Sequence, residues 1–325
     1  MQRKPLQMAA ALMAGIVLAP TTALSQANFP NKAITLIIPL APGGGTETET
    51  RMYAQKILDN EGYSIVIENR PGAAGTIGAA QVARAAPDGY TIMQTILGNV
   101  LAPISYPELT YDPVKDFTPI VLMSKRPLIL MVHPSLPVKS VAEYLAYAKA
   151  NPGKINYSTG GAGGSTHLPG AWLHYATNTE VTFVHYKSTG AFIPDLYAGR
   201  VQATATTPVN ALQAIKTGKV RGLGVTSKER MPNMPDLPSI TETVPSYDFS
   251  SWMGFTGPKG MPPAVVAKLN RDFVKALKMS AVTEKLGSDG ILPVGSTPEE
   301  FGKLLAYEQA HWLKFLKDTG IKLSD

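Results

Sequence analysis

Two stretches hold the residues whose types and spacing could do chemistry. In the first, Pro42, Gly43, Gly44, Gly45, Thr46 and Glu47 follow one another directly. In the second, Ser158 and Thr159 run into a glycine loop that ends in Gly163, Gly164, Ser165, Thr166 and His167. Glycines ahead of a helix let an anion approach the backbone without meeting a Cβ. The unpaired N–H groups at the positive end of the helix dipole then attract it. The chemistry this suits is capture of a carboxylate or a phosphate. The lysine of a GxxxxGK[ST] loop is missing from the first stretch, as is the GxGxxG spacing of a dinucleotide fold. On shape alone each stretch also reads as a tight connection. Two in one chain are more informative than one, because a ligand between them could be gripped at both ends.

His167 beside Ser165 and Thr166 raises a nucleophile–base reading. Side chains one or two apart on a helix do not face each other, however. The chain has no G-x-S-x-G elbow, and nothing nominates an acidic third member of a triad. His167 and His174 are seven apart and could share a helix face, but no further His/Cys/Glu cluster joins them to make a metal site. No catalytic residue, no metal and no cofactor is therefore assigned. His133, ahead of Pro134, and His311, on an amphipathic helix, read as structural.

The elements that must position these loops follow from periodicity and punctuation. Ile34, Leu36, Ile37 and Ile38 form a short β-branched run closed by Pro39, which predicts a buried strand. Thr46 with Glu49 three residues on predicts a capping box and a helix carrying Met52, Tyr53, Ile57 and Leu58 on one face. A strand over 64–68, a helix over 76–85 and a strand over 90–96 continue the alternation, which points to right-handed βαβ units. Apolar runs at 120–123 and 128–132 are joined through Ser124, Lys125, Arg126 and Pro127, and a helix capped by Ser140 follows. At Ile155 the strand–glycine loop–helix unit recurs, with Ser165 or Thr166 as the cap and Pro169 in the first turn. The strand ending in Thr204, Thr206 and Thr207 is rich in threonine where an apolar run is expected. A proline-laden stretch over 231–246 is irregular, and Thr297, Pro298 and Glu300 open a long last helix.

With 325 residues, 44% hydrophobic and 17% charged, the chain has room for about two domains. Its net charge of +6 is scattered, with no Lys/Arg run interleaved with aromatics, so a field drawing in small anions fits and nucleic acid does not. Residues 1–27 have the basic start, short apolar run and small-x-small end of a signal peptide, with cleavage expected near Ala27. The absence of cysteine excludes disulfides, a lipidated N-terminal cysteine and thiolate chemistry.

These segments together resemble the extracytoplasmic solute-binding proteins of tripartite tricarboxylate transporters, the Bug family. The stretches IIPLAPGGGTETETR, VIENRPGAAGTIGA, APDGYTIM, NPGKINYSTGGAGGSTHLPG and SSWMGFTGPKGMPP carry the likeness, which runs from near Pro30 to Leu323. The resemblance implies an α/β, two-domain type II periplasmic-binding-protein fold of the Venus-flytrap kind. Each domain would be a mainly parallel sheet flanked by helices, with two crossovers at the hinge. Domain one would cover 28–126 and 249–325, and domain two 127–248. The two glycine loops would clamp a carboxylated ligand, which places Pro42, Gly43, Gly44, Gly45, Thr46 and Glu47 on one side. Ser158, Thr159, Gly163, Gly164, Ser165, Thr166, His167, Thr206 and Thr207 would lie on the other. The chain departs from the family where Glu47 replaces the Asp that commonly follows GGGT, and where Thr206 replaces a strand-end Asp. Without those aspartates a ligand ammonium loses its partner, so a dicarboxylate without an amine, aliphatic or aromatic (terephthalate-like), is expected; the alternative is that Glu47 simply stands in for the Asp or complements the helix dipole. The same resemblance implies a periplasmic monomer that serves membrane permease subunits. A periplasmic sensor subunit is the alternative that the sequence does not separate.

Overall fold

A computed structural model describes residues 29–320 apart from 41, 43, 44, 162, 187 and 188. The signal peptide expected over 1–27 and the glycines Gly43 and Gly44 thus lie outside the described residues. The chain runs β1 (Ile34–Ile38), α1 (Gly45–Glu61), β2 (Ile65–Asn69), α2 (Thr76–Ala83), β3 (Thr91–Ile96), α3 (Leu97–Ser105), β4 (Phe117–Arg126) and β5 (Ile129–Val132). It continues α4 (Val141–Ala150), β6 (Asn156–Thr159), α5 (Leu168–Ala176), β7 (Thr182–His185), α6 (Thr189–Tyr197), β8 (Ala203–Thr206), α7 (Pro208–Lys216) and β9 (Arg221–Val225). It returns through β10 (Ser251–Pro258), α8 (Pro263–Leu277), α9 (Ser280–Ser288), β11 (Leu292–Pro293) and α10 (Pro298–Thr319).

The strands form two sheets, so the architecture is the expected α/β fold of two domains. One sheet has the order β11-β4-β10-β3-β1-β2 and the other β7-β6-β8-β5-β9. Both sheets are mixed, where mainly parallel ones were expected. The parallel parts are β2-β1-β3 and β7-β6-β8, where helices cross over between sequential strands. The antiparallel parts are β3-β10-β4-β11 and β8-β5-β9. The departure has a topological cause. The chain leaves the first sheet after β4, builds the second, and re-enters at β10 between β3 and β4, running opposite to both.

Burial explains the strand identities. Ile34, Leu36, Ile37 and Ile38 are fully enclosed, as a β-branched run covered on both faces must be. One apolar cluster packs β1, β3, β10 and α8 through Ile34, Ile92, Phe255 and Phe273. A second runs from Leu97 and Leu101 through Leu122, Leu128 and Tyr144 to Trp312 and Phe315, and so continues across the β4–β5 crossover. Within it α10 touches both halves. Trp172 of α5 lies with its ring centroid 4.6 Å from His311 and 5.5 Å from Phe315. The Thr297 cap is as expected: its hydroxyl accepts from Glu300 N at 3.2 Å, while Glu300 accepts from Thr297 N at 2.9 Å.

Candidate functional site

Between the two sheets lies a cavity of about 930 Å³. Its walls are the first turns of four helices and the crossover segments. α1 supplies Thr46, Thr48, Glu49 and Met52, and α3 supplies Leu97, Gly98 and Leu101. The glycine loop before α5 supplies Gly163, Gly164 and Ser165, and Thr207 to Val209 open α7. Arg126, Leu128, Phe249 and Ser251 form the floor at the crossovers, and Lys285, Asp289 and Gly290 reach in from the end of α9. Most of that surface is apolar, and several of its polar groups, Thr46, Thr48, Ser165 and Thr207, sit in or just before the first turn of a helix, where backbone N–H groups lack intrahelical partners.

The glycine loops are built differently from the pattern the sequence predicts. Thr46 lies inside α1, which begins at Gly45. Its hydroxyl accepts from Gln94 Nε2 at 3.0 Å, and Gln94 is itself fully buried in β3. Glu49 makes no capping box. It is buried, accepts the Tyr53 hydroxyl at 2.7 Å, and is bonded by Arg126 Nη2. Glu47 accepts from Arg51 Nη2 at 2.6 Å and from Asn69 Nδ2 at 3.4 Å, and it is not among the cavity-lining residues.

In the second loop α5 begins at Leu168, so neither Ser165 nor Thr166 caps it. Thr166 Oγ1 instead accepts from Gly160 N at 2.7 Å, and His167 Nδ1 accepts from Gly163 N at 2.8 Å. These bonds tie the loop to itself and fix its shape before any ligand arrives. Gly163 sits at φ 67°, the left-handed region that glycine occupies without a Cβ penalty. His167 is 4% exposed, and burial together with the neighbouring His185 ring, 4.8 Å away between centroids, lowers its pKa to about 4. It is therefore neutral at pH 7, as an acceptor at Nδ1 requires.

Of the residues expected at the site, the structure brings Thr46, Gly163, Gly164, Ser165 and Thr207 to the cavity wall. Ser158, Thr159 and Thr206 are fully enclosed in the sheet. Ser158 Oγ donates to Ala203 O at 3.2 Å and Thr204 Oγ1 to Ser158 O at 2.8 Å, so these hydroxyls link β6 to β8. Thr159 Oγ1 is 2.7 Å from His185 Nδ1, and Thr206 Oγ1 accepts from Asn210 Nδ2 at 3.4 Å. Pro42 is exposed and does not line the cavity. Sequence reasoning missed Arg126 with Glu49, the whole of α3, and the end of α9. Among the described residues no group of three or more His, Cys, Asp or Glu is placed to hold a metal.

The two halves also meet at the mouth. Gly290 lies so close to α7 that a Cβ there would come within 2.6 Å of Pro208 Cβ. Asn233 Nδ2 donates to Gly287 O at 3.3 Å across the same gap. Two mixed sheets joined by paired crossovers, with a cavity between them, define a two-domain binding protein of the periplasmic type. The family can be stated as well. The chain belongs to the tripartite tricarboxylate transporter family receptors, whose TctC model matches residues 50–321.

Similar proteins fit this class. Protein BugT of Bordetella pertussis is 31% identical over 306 residues, covering 92% of this chain and 93% of its own. The solved structure of R. palustris Rpa4515 with adipate has 34% identity and a TM-score of 0.75, covering 91% of this chain and 99% of that one. MatC from Rhodopseudomonas palustris with bound malate has 32% identity and a TM-score of 0.70, covering 89% and 100%. No helix among the described residues is long and apolar enough to cross a membrane.

Proposed function

We propose that this protein is an exported, non-enzymatic receptor that captures a small dicarboxylate without an amine and presents it to membrane permease subunits. One observation carries the reading: a largely apolar cavity between two domains, with helix starts converging on it from both sides. A dicarboxylate matches that layout, with apolar carbons in the middle and an anion at each end. One carboxylate would meet the first turn of α1 at Gly45 and Thr46, with Gly43 and Gly44, which precede them in the sequence, proposed as further donors. The other would meet Gly163, Gly164, Ser165 and Thr166, with Thr207 beside it. The hinge falls at 126–127 and 248–249, and the halves close over the ligand as rigid bodies. Adipate and malate, present in the two relatives' structures, are both diacids, and an aromatic diacid such as terephthalate belongs to the same class.

Glu47 supports the amine-free choice, because its carboxylate is engaged by Arg51 and Asn69. Hydrogen bonds to a charged group contribute roughly 1.5–3 kcal/mol each, so a few at each end suffice for micromolar binding, about −8 kcal/mol. Titration calorimetry with malate, adipate, terephthalate, their mono-acid counterparts and amino acids tests the reading. A diacid should bind best, and preferred binding of an amino acid overturns it. Removal of residues 1–27 on export is checked by sequencing the N-terminus of the periplasmic form, which should begin near Asn28.

A further inference from the structure

Arg126 is the last residue of β4 and stands at the floor of the cavity, paired in register with Ser251 where the chain returns. Its side chain is 13% exposed and that of its partner Glu49 is 2% exposed. Nη2 is bonded to Glu49. Nη1 is enclosed and has no hydrogen-bond partner among the described residues. The Glu49 carboxylate is meanwhile fixed from its other side by the Tyr53 hydroxyl at 2.7 Å. Burial lowers the guanidinium pKa only to about 10, so it stays a cation at neutral pH.

A buried guanidinium with an idle donor is an unfavourable arrangement, because a desolvated N–H without an acceptor costs free energy. A planar fork reads a carboxylate well. Glu49 and Thr46 are three residues apart on α1 and both line the cavity, so Arg126 is at the α1 end of it. The Arg126–Glu49 pair is neutral as a unit, and an entering anion therefore gains a donor without meeting a net negative wall.

We propose that Arg126, aimed and tethered by Glu49, donates to the ligand carboxylate at the α1 end of the cavity and makes the site select diacids over mono-acids. The ligand oxygen reaches the idle donor through a small turn of the guanidinium about its Glu49 bond. The proposal rests on the diacid reading above, and the test separates the two.

Removing Arg126 alone leaves Glu49 buried and unpaired, which threatens the fold. The informative comparison is therefore the wild type against the double variant Glu49→Gln/Arg126→Gln, which buries no charge. Both are titrated with adipate and hexanoate, and with terephthalate and benzoate, after circular dichroism and thermal unfolding confirm the fold. The double variant should bind the best diacid roughly 10- to 100-fold more weakly than the wild type. The mono-acid should change less than about threefold, so the diacid preference collapses. Equal losses for diacid and mono-acid, or no loss, would mean that Arg126 is structural and would overturn the proposal. A wild-type protein that binds none of the diacids refutes the proposed function and this assignment together. One that binds diacids with an unaltered preference in the double variant refutes only the assignment.

Discussion

Lowering the pH should destabilise this protein well before its carboxylates titrate, because two buried histidines must stay neutral. His174 is 4% exposed. Its Nε2 is 3.0 Å from the Tyr144 hydroxyl and its Nδ1 is 2.7 Å from Thr179 Oγ1. A neutral ring serves one nitrogen as acceptor and the other as donor. A doubly protonated ring has no acceptor, so the hydroxyl that donates to the neutral ring, Tyr144 or Thr179, would lose its partner. In His167 the acceptor is Nδ1, and a proton there would abolish the bond from Gly163 N.

Burial lowers both rings to about 4, with the His185 ring adding to the effect at His167. The unfolded chain binds a proton near pH 6.5. Stability is thus fully present above that value and is lost as the pH falls from 6.5 towards 4. At pH 5 the loss is roughly 2 kcal/mol for each ring, about 4 kcal/mol for both. Glu308, whose pKa burial raises, works in the opposite direction and regains stability as the pH falls. The assay is therefore a comparison: urea unfolding at pH 7 and pH 5 for the wild type, His167→Asn and His174→Gln. Each variant keeps an acceptor amide near the original nitrogen and cannot titrate. Each should cut the pH 7 to 5 loss by roughly 2 kcal/mol. Identical losses in all three proteins would show that neither ring is kept neutral by the fold, and the argument would fail.

Four further outcomes are expected. Gly290→Ala adds a Cβ within 2.6 Å of Pro208 at φ 69°, so closure should be hindered; ligand affinity falls at least about fivefold and small-angle scattering shows less compaction on binding. Gly254→Ala places a Cβ 2.5 Å from Phe301 Cζ and 2.6 Å from Val121 O, and urea unfolding should register a loss of about 1–3 kcal/mol. Thr297→Ala removes the α10 cap bond and should cost about 1 kcal/mol by the same measurement. Gly164→Val narrows the cavity wall, and calorimetry should show at least about tenfold weaker diacid binding with the far-ultraviolet spectrum unchanged.

The strand–glycine loop–helix units were legible because glycine runs beside β-branched strands are local signals. So were the caps at Ser140 and Thr297. What escaped depends on tertiary contact. Glu49 follows Thr46 at capping spacing, but Tyr53 and Arg126 claim its carboxylate. Ser124, Lys125 and Arg126 look like a polar connector, yet β4 runs through them because β10 pairs alongside. Gly98 and Pro103 obscure α3, whose apolar face is fixed by the core it completes rather than by its own propensity. The threonines of β8 invite a ligand reading, and only the neighbouring strand β6 reveals that Thr204 is satisfied within the sheet.

β10 lies between β3 and β4, yet it is made after the whole second sheet. A chain that emerges N-terminus first must therefore wait, with two facing apolar strand edges unpaired, for more than a hundred residues to follow. Such edges are where nascent chains stick to one another. Binding by a periplasmic holdase should accordingly be strongest for fragments truncated before Ser251 and should fall sharply once Pro258 is included.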